Sequence, residues 1–246
     1  MSKATPPKTS TVPLLNMLVA RFPFQSLSYA YYFSQPRVIL MEQLKLAYIP
    51  IPKIAHTSIK RAIAKIPEDK KIKIHQVPFK NVPLKDFDPR EYYTFSFVRN
   101  PLMRLISLYE RNVNEEYPQH LFHLYGNTFK HKMSFTDFVT EVCNIPDNRA
   151  DKHFRSQHWF LELEKDIVPD FIGRFENMES DWEILNKKYD LGSIQKHNAS
   201  SKVNIESYFT PKTLDLVLKR YQKDITLFGY EKEIEVVFSN LFEKEA

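Results

Sequence analysis

Twice in this chain an apolar stretch of strand length passes through a short loop into a segment of helical periodicity, and no other feature restricts the fold as tightly. In the first, LAYIPI (Leu46 to Ile51) precedes Pro52 and Lys53. TSIKRAIAKI then sets Ile59, Ala62, Ile63 and Ile66 on one face, with Thr57 or Ser58 as the expected helix cap. In the second, EYYTFSFV has the aromatic and β-branched content and alternation of a strand, and Pro101 in RNP takes the first helical position of LMRLISLYERNV. Strand, loop and helix in alternation predict an α/β fold with a central, mostly parallel sheet flanked by helices. Ligands of such sheets bind beyond the carboxyl ends of the strands, where both loops would lie.

The remaining pattern fits the same class. KIKIH alternates Ile72 and Ile74 with Lys71 and Lys73, which predicts a half-buried strand ending near His75. SFTDFVTEVC predicts a helix capped by Ser134, DFIGRFE a short strand, and the stretch from about Asn177 to Lys188 a helix. TPKTLDLVLKRYQKDITLFGYE has Thr210 as cap, Pro211 at the first position and Gly229 as stop, which predicts one long amphipathic helix. Residues 1 to 12, rich in Pro, Ser, Thr and Lys, form the expected flexible tail, and residues 13 to 246 a single domain. The apolar run from Val12 to Ala20 contains Pro13 and Asn16 and is too short to span a bilayer. With a start at Met1, the expectation is a soluble, cytoplasmic protein.

Composition narrows the chemistry. The one cysteine, Cys143, excludes an intramolecular disulfide and any cysteine-based metal site, and the eight histidines contain no HExxH pair, so no metal is expected. Net charge is only +5, too little to require nucleic acid, but it is unevenly placed. From Lys53 to Lys85 nine basic residues face two acids, Glu68 and Asp69, and this excess surrounds the first loop.

A strand-loop-helix junction aims backbone N–H groups and the positive end of a helix dipole at one point. In the first loop Lys53, Thr57 and Ser58 add a cation and two hydroxyls, which suits a phosphate or a sulfonate. Unlike a Walker A loop, the stretch PKIAHTS contains no glycine. Arg99 stands at the end of the second strand, and Ser107 lies eight positions on, with Arg104 between them. An arginine fork and a helix hydroxyl form a second anion site. Two such sites at neighbouring strand ends imply a ligand with two separated anionic groups. A nucleotide kinase would share the strand-loop-helix physics, but neither GxxxxGK nor a magnesium-holding acid is present. A basic module that binds glycan or nucleic acid without catalysis has only the Lys53 to Lys85 charge in its favour, since no nucleic-acid-binding motif is visible.

IPKIAHTSIKRAI resembles the 5′-phosphosulfate loop, and FSFVRNPLMRLISLYE the 3′-phosphate motif, of sulfotransferases that use 3′-phosphoadenosine 5′-phosphosulfate (PAPS). The likeness is to the carbohydrate branch, sulfotransferase family 2, and it extends through DKHFRSQHWF and RFENMESDW to HNASSKVNIESYFTPKTLDLVLKRYQKDITLFGYE, so that it covers about Leu46 to Glu231. This resemblance implies a P-loop-like sulfotransferase fold and transfer of a sulfuryl group to a hydroxyl of a glycan or small molecule, without metal. It implies that Lys53 is catalytic and contacts the 5′-phosphosulfate together with Pro52, Ile54, Ala55, His56, Thr57 and Ser58. Arg99 and Ser107 would hold the 3′-phosphate, and Asn198, Ser200, Ser201 and Lys202 would cover the nucleotide. In related enzymes a His or Glu takes the acceptor proton, and His75, at the end of its expected strand on the side of the anion loops, is the candidate. His153, Arg155 and Gln157 fall in a segment that approaches the acceptor in relatives.

Overall fold

The computed structural model describes residues 35–67, 69–115, 125, 128–194 and 203–242. The expected tail, the Val12 to Ala20 run and Asn198, Ser200, Ser201 and Lys202 lie outside these residues.

Strands Arg37–Met41 (β1), Leu46–Tyr48 (β2), Asn81–Pro83 (β3), Tyr93–Val98 (β4) and Phe171–Arg174 (β7) form one sheet in the order β3-β1-β2-β4-β7. Glu162–Leu163 (β5) and Asp166–Ile167 (β6) make a separate hairpin. The helices are His56–Ile63 (α1), Pro101–Tyr109 (α2), Phe135–Asn144 (α3), His158–Leu161 (α4), Met178–Tyr189 (α5), Pro211–Arg220 (α6), Gln222–Leu227 (α7) and Glu231–Phe242 (α8).

The α/β class and the helix-flanked sheet hold, but the sheet is mixed rather than mostly parallel. β2 with β4 and β4 with β7 run parallel, whereas β1 is antiparallel to both β2 and β3. Chain length explains the difference. Between β1 and β2 there is only a 3-10 turn, Glu42–Leu44, and Lys45 in left-handed conformation at φ 48°. A parallel crossover needs a dozen or more residues, so this connection admits only an antiparallel pair.

β4 is buried along its length after Tyr93. Phe95 stacks on Tyr48 with ring centroids 5.0 Å apart and meets Trp182 of α5 edge-on at 6.2 Å. The Phe97 ring rests on β7 where Gly173 has no side chain; a Cβ there would stand 2.3 Å from the ring. On the alternate positions Thr94 and Ser96 are also fully buried, which fits a strand covered on both faces. The Ser96 hydroxyl donates to the Ile49 carbonyl at 2.7 Å, tying β4 to the segment just after β2.

Three local expectations fail for identifiable reasons. The alternation in KIKIH does not make a strand: Arg61 donates to the carbonyls of Pro67, Lys70 and Ile72 at 2.7, 2.9 and 3.2 Å, and Ile74 to Gln76 form a 3-10 turn. Ile74 is buried but Ile72 is 43% exposed, so the two isoleucines do not share an apolar face. The helix expected from Thr210 to Gly229 breaks at Tyr221, whose ring is buried and whose hydroxyl donates to the Phe154 carbonyl at 2.5 Å. After α2 the chain continues as a π-helical segment, Glu110–Glu115, rather than in regular α form.

Candidate active site

β2 ends because Pro50 and Pro52 lack the N–H that a ladder requires. Past it, Lys53 (φ 70°) and Ala55 (φ 43°) both adopt left-handed backbone, and Ile54 between them is fully buried as an anchor. The chain therefore bends around a point without glycine by holding two side-chain-bearing residues where glycine is usually found. Such alternation turns successive N–H groups into a concavity suited to anions.

Neither Thr57 nor Ser58 caps α1, contrary to expectation. Ala55 occupies the N-cap without a side-chain bond, and the first intrahelical bond runs from Ile59 N–H to the Ala55 carbonyl. His56 opens the helix, Thr57 is exposed and Ser58 is buried. The positive end of the helix faces the bend. Lys53 Nζ donates to Asn112 Oδ1, in the π-helical segment, at 3.2 Å.

The second loop is built differently. Asn100 Oδ1 accepts from the N–H groups of Leu102 and Met103, and Pro101 takes the first position of α2, so this helix is side-chain capped. Gln157 clamps the Arg99 backbone: its Oε1 accepts from Arg99 N–H at 2.9 Å, and its Nε2 donates to the Arg99 carbonyl at 2.8 Å. Gln157 N–H in turn donates to Asp224 of α7 at 2.6 Å, and His158 donates to the same carboxylate from backbone and ring. The turn at Tyr221 thus re-aims the chain so that a fully buried carboxylate meets the Gln157 segment.

Arg99 is 6% exposed, and its guanidinium lies 4.2 Å from the Phe175 ring centroid. Its Nη1 donates to the Lys53 carbonyl at 3.3 Å, and its Nε is buried with no hydrogen-bond partner among the described residues. Burial pulls this guanidinium below its ordinary pKa, against the attraction of Glu176. An unpaired buried donor on a cation fits an anionic group. Arg104, also buried, donates to Pro52 O at 3.3 Å, Arg155 O at 2.6 Å and Lys152 O at 3.2 Å. One guanidinium therefore joins the first loop to the 152–155 turn.

The structure joins Lys53, Arg99 and Gln157 by direct bonds, and Pro52 is tied in by Arg104. Arg155 is fully buried, stacked 4.0 Å from the Trp159 ring centroid, and donates to the Ala150 carbonyl. Its position and that of Gln157 are those of braces. His153 is part-buried beside Asp151, with its ring Nδ1 2.6 Å from Asp151 Oδ1. Burial works to raise the Asp151 carboxyl, but bonding and charge from His153 outweigh it and hold the group below its ordinary value. Ser107 lies half-buried on α2, and no bond joins it to Arg99. His75 falls in the 3-10 turn, so the strand end that would have aimed it toward the loops is missing. Asn112 and Asp224 were not legible as partners of the loops, because each is an isolated polar residue whose partner lies elsewhere in the chain, whereas Asp151 stands only two positions from His153 and was overlooked. Among the described residues no group of three or more His, Cys, Asp or Glu side chains could hold a metal ion, and no helix is long and apolar enough to cross a membrane.

The fold and these two loops define an α/β protein with two bonded loops at the carboxyl ends of two adjacent parallel strands. A model of the sulfotransferase family matches residues 36–231, and the chain belongs to that family. Carbohydrate sulfotransferase 14 of Danio rerio is 24% identical over 233 residues, covering 78% of this chain and 62% of its own length. Carbohydrate sulfotransferase 10 of Homo sapiens and that of Pongo abelii are each 22% identical over 246 residues, covering 81% of this chain and 68% of theirs. The chain therefore spans less than two thirds of the first of these relatives. No solved structure matches it significantly.

Proposed function

We propose that the protein transfers the sulfuryl group of PAPS to a hydroxyl of a carbohydrate or small-molecule acceptor by in-line displacement. The observation that carries this reading is the junction at Arg99. From the end of β4 it reaches the Lys53 carbonyl of the loop after β2 and keeps a buried Nε that is unpaired among the described residues. A ligand with anionic groups at both strand ends would meet both loops there. PAPS has a 5′-phosphosulfate and a 3′-phosphate, and when bound it supplies an activated sulfuryl group and a bisphosphate leaving group.

In this reading the left-handed bend at Lys53 to Ala55, with the first turn of α1 and the side chains of His56, Thr57 and Ser58, receives the 5′ end. Lys53 offers its ammonium to charge that builds as sulfur leaves the phosphate oxygen. Arg99, with Ser107, takes the 3′-phosphate, which separates PAPS from ATP. Positioning and preorganised charge do most of the work, because both the cations and the bend are fixed before ligand arrives. The names of the three relatives support a carbohydrate as acceptor.

The test is calorimetric titration with adenosine 3′,5′-bisphosphate beside ADP and ATP, without magnesium. Selective binding of the bisphosphate is expected. A magnesium-dependent preference for ATP would overturn the reading in favour of phosphoryl transfer.

A further inference from the structure

Two histidines are each bonded through Nδ1 to a buried aspartate, and their second ring nitrogens distinguish them. His158 Nδ1 lies 2.7 Å from Asp224, while its Nε2 faces Glu162 at 3.9 Å, so carboxylates stand on both sides of the ring. Its aspartate also holds Gln157, which fixes Arg99. That pair is a brace. His153 Nδ1 lies 2.6 Å from Asp151 Oδ1, which also accepts from the His153 backbone N–H at 2.9 Å. An ionised carboxylate only accepts, so Nδ1 carries the proton and Nε2 presents its lone pair. Nε2 bonds to none of the described residues, and the side chain is 25% exposed.

Location gives this pair its meaning. Arg104 donates to the carbonyls of Lys152 and Arg155, on either side of His153, and with its third nitrogen to the carbonyl of Pro52 in the first anion loop. Lys152 is also close enough to Lys60 of α1 to help burial lower the Lys60 pKa. The turn that carries His153 is therefore fastened to the loop that would receive the phosphosulfate.

We infer that His153 is the general base of sulfuryl transfer and that Asp151 is the positioning residue that fixes its tautomer and orientation. The inference rests on the proposed PAPS-dependent activity. The acceptor hydroxyl gives its proton to His153 Nε2 as its oxygen bonds to sulfur. The bond from sulfur to the bridging 5′-phosphate oxygen breaks, and adenosine 3′,5′-bisphosphate leaves with the electron pair. The sulfate ester departs and the imidazolium releases its proton to water, so the balance is PAPS plus alcohol to bisphosphate, sulfate ester and one proton. His75 has no comparable claim, since the strand that was to aim it does not form.

The experiment measures bisphosphate release from PAPS, with desulfated chondroitin as acceptor and with water alone, for the intact chain and for His153→Ala, His153→Gln and Asp151→Asn. Loss of the base lowers the rate by at least ~100-fold. Expected is that loss in both His153 variants, with melting temperature and calorimetric bisphosphate binding unchanged, and partial recovery of His153→Ala by added imidazole. Asp151→Asn is expected to lower kcat while leaving KM for PAPS in place, a split that a bracing role would not produce. Turnover of the His153 variants at the unsubstituted rate would overturn the inference, as would loss of bisphosphate binding in step with turnover. Failure of the unsubstituted chain to bind the bisphosphate would instead overturn the underlying reading of the cosubstrate.

Discussion

The two loops at the ends of β2 and β4 reach similar ends by opposite means. After β2, local backbone does the work: two left-handed residues, a buried isoleucine between them and a helix with no side-chain cap. After β4, the backbone is conventional, with Asn100 as cap and Pro101 at the first helical position, and long-range side chains do the work. Gln157 and Asp224 hold Arg99 from distant parts of the sequence. A site made of strained backbone is rigid by itself but responds to any change in φ preference. A site made of buried cations depends on partners dozens of residues away and should be sensitive to their removal. The difference predicts which substitutions damage the fold, which damage ligand binding, and one that should be favourable.

The largest effect is expected where the two designs meet. Arg104→Met leaves the carbonyls of Pro52, Lys152 and Arg155 without their donor in a buried place, a loss of about 3–5 kcal/mol by the usual cost of orphaned buried polar groups. Equilibrium urea unfolding would read it. A loss below about 1 kcal/mol would mean that each loop stands without the other and that Arg104 is no common tie.

Next come the two cations. Lys53→Ala is expected to lower sulfuryl transfer roughly 100-fold, in the range seen when one preorganised donor is removed, with little change in melting temperature. Transfer at the unsubstituted rate in a radiolabelled sulfate assay would take the catalytic role from Lys53. Arg99→Ala removes a charged donor from the second site and should weaken adenosine 3′,5′-bisphosphate binding by roughly 10- to 100-fold, since charge-assisted bonds contribute about 1.5–3 kcal/mol. ADP, which lacks the 3′-phosphate, should change much less. Equal losses for the two nucleotides would show that Arg99 braces the Lys53 carbonyl and contributes no phosphate recognition.

This contrast also explains what could be read from the sequence. The β4 unit was legible nearly to the residue, because aromatic alternation and Pro101 are local signals and the structure uses them locally, while the Asn100 cap was overlooked. The helix after β2 was legible from its apolar spacing, but its cap was not, since left-handed φ at Lys53 and Ala55 leaves no mark in residue type. β1 and β3 are five and three residues long and pair mainly through position, so the antiparallel half of the sheet was missed. KIKIH misled because its period was right for a strand while Arg61 had already taken carbonyls that a ladder would need. The long helix near the carboxyl end misled for a similar reason: the buried contact of Tyr221 with Phe154 overrides local propensity. Lys53 and Arg99 could be proposed from their places at strand ends, whereas Asn112 and Asp224 needed the folded chain.

The smallest expected effect has the opposite sign from the others and is the sharpest test of the first loop. Ala55 sits at φ 43° and ψ 23° in the N-cap position of α1. A left-handed alanine costs roughly 1–2 kcal/mol that glycine avoids, and glycine is also the better N-cap, with only a few tenths lost against a hydroxyl residue. Against this, glycine adds freedom to the unfolded chain worth about 0.4–1 kcal/mol. The difference leaves Ala55→Gly more stable by about 0.5–1 kcal/mol. Ala55→Val places a β-branched side chain in the same left-handed backbone and should lose stability, because its χ1 and Cβ crowding are worst there. Urea midpoints for the pair decide the matter. If glycine destabilises the protein, the alanine methyl must pack to advantage, and the bend is then held by side-chain contact as the second loop is. If glycine stabilises it while bisphosphate binding persists, backbone conformation alone shapes the first loop, and the difference between the two strand ends stands.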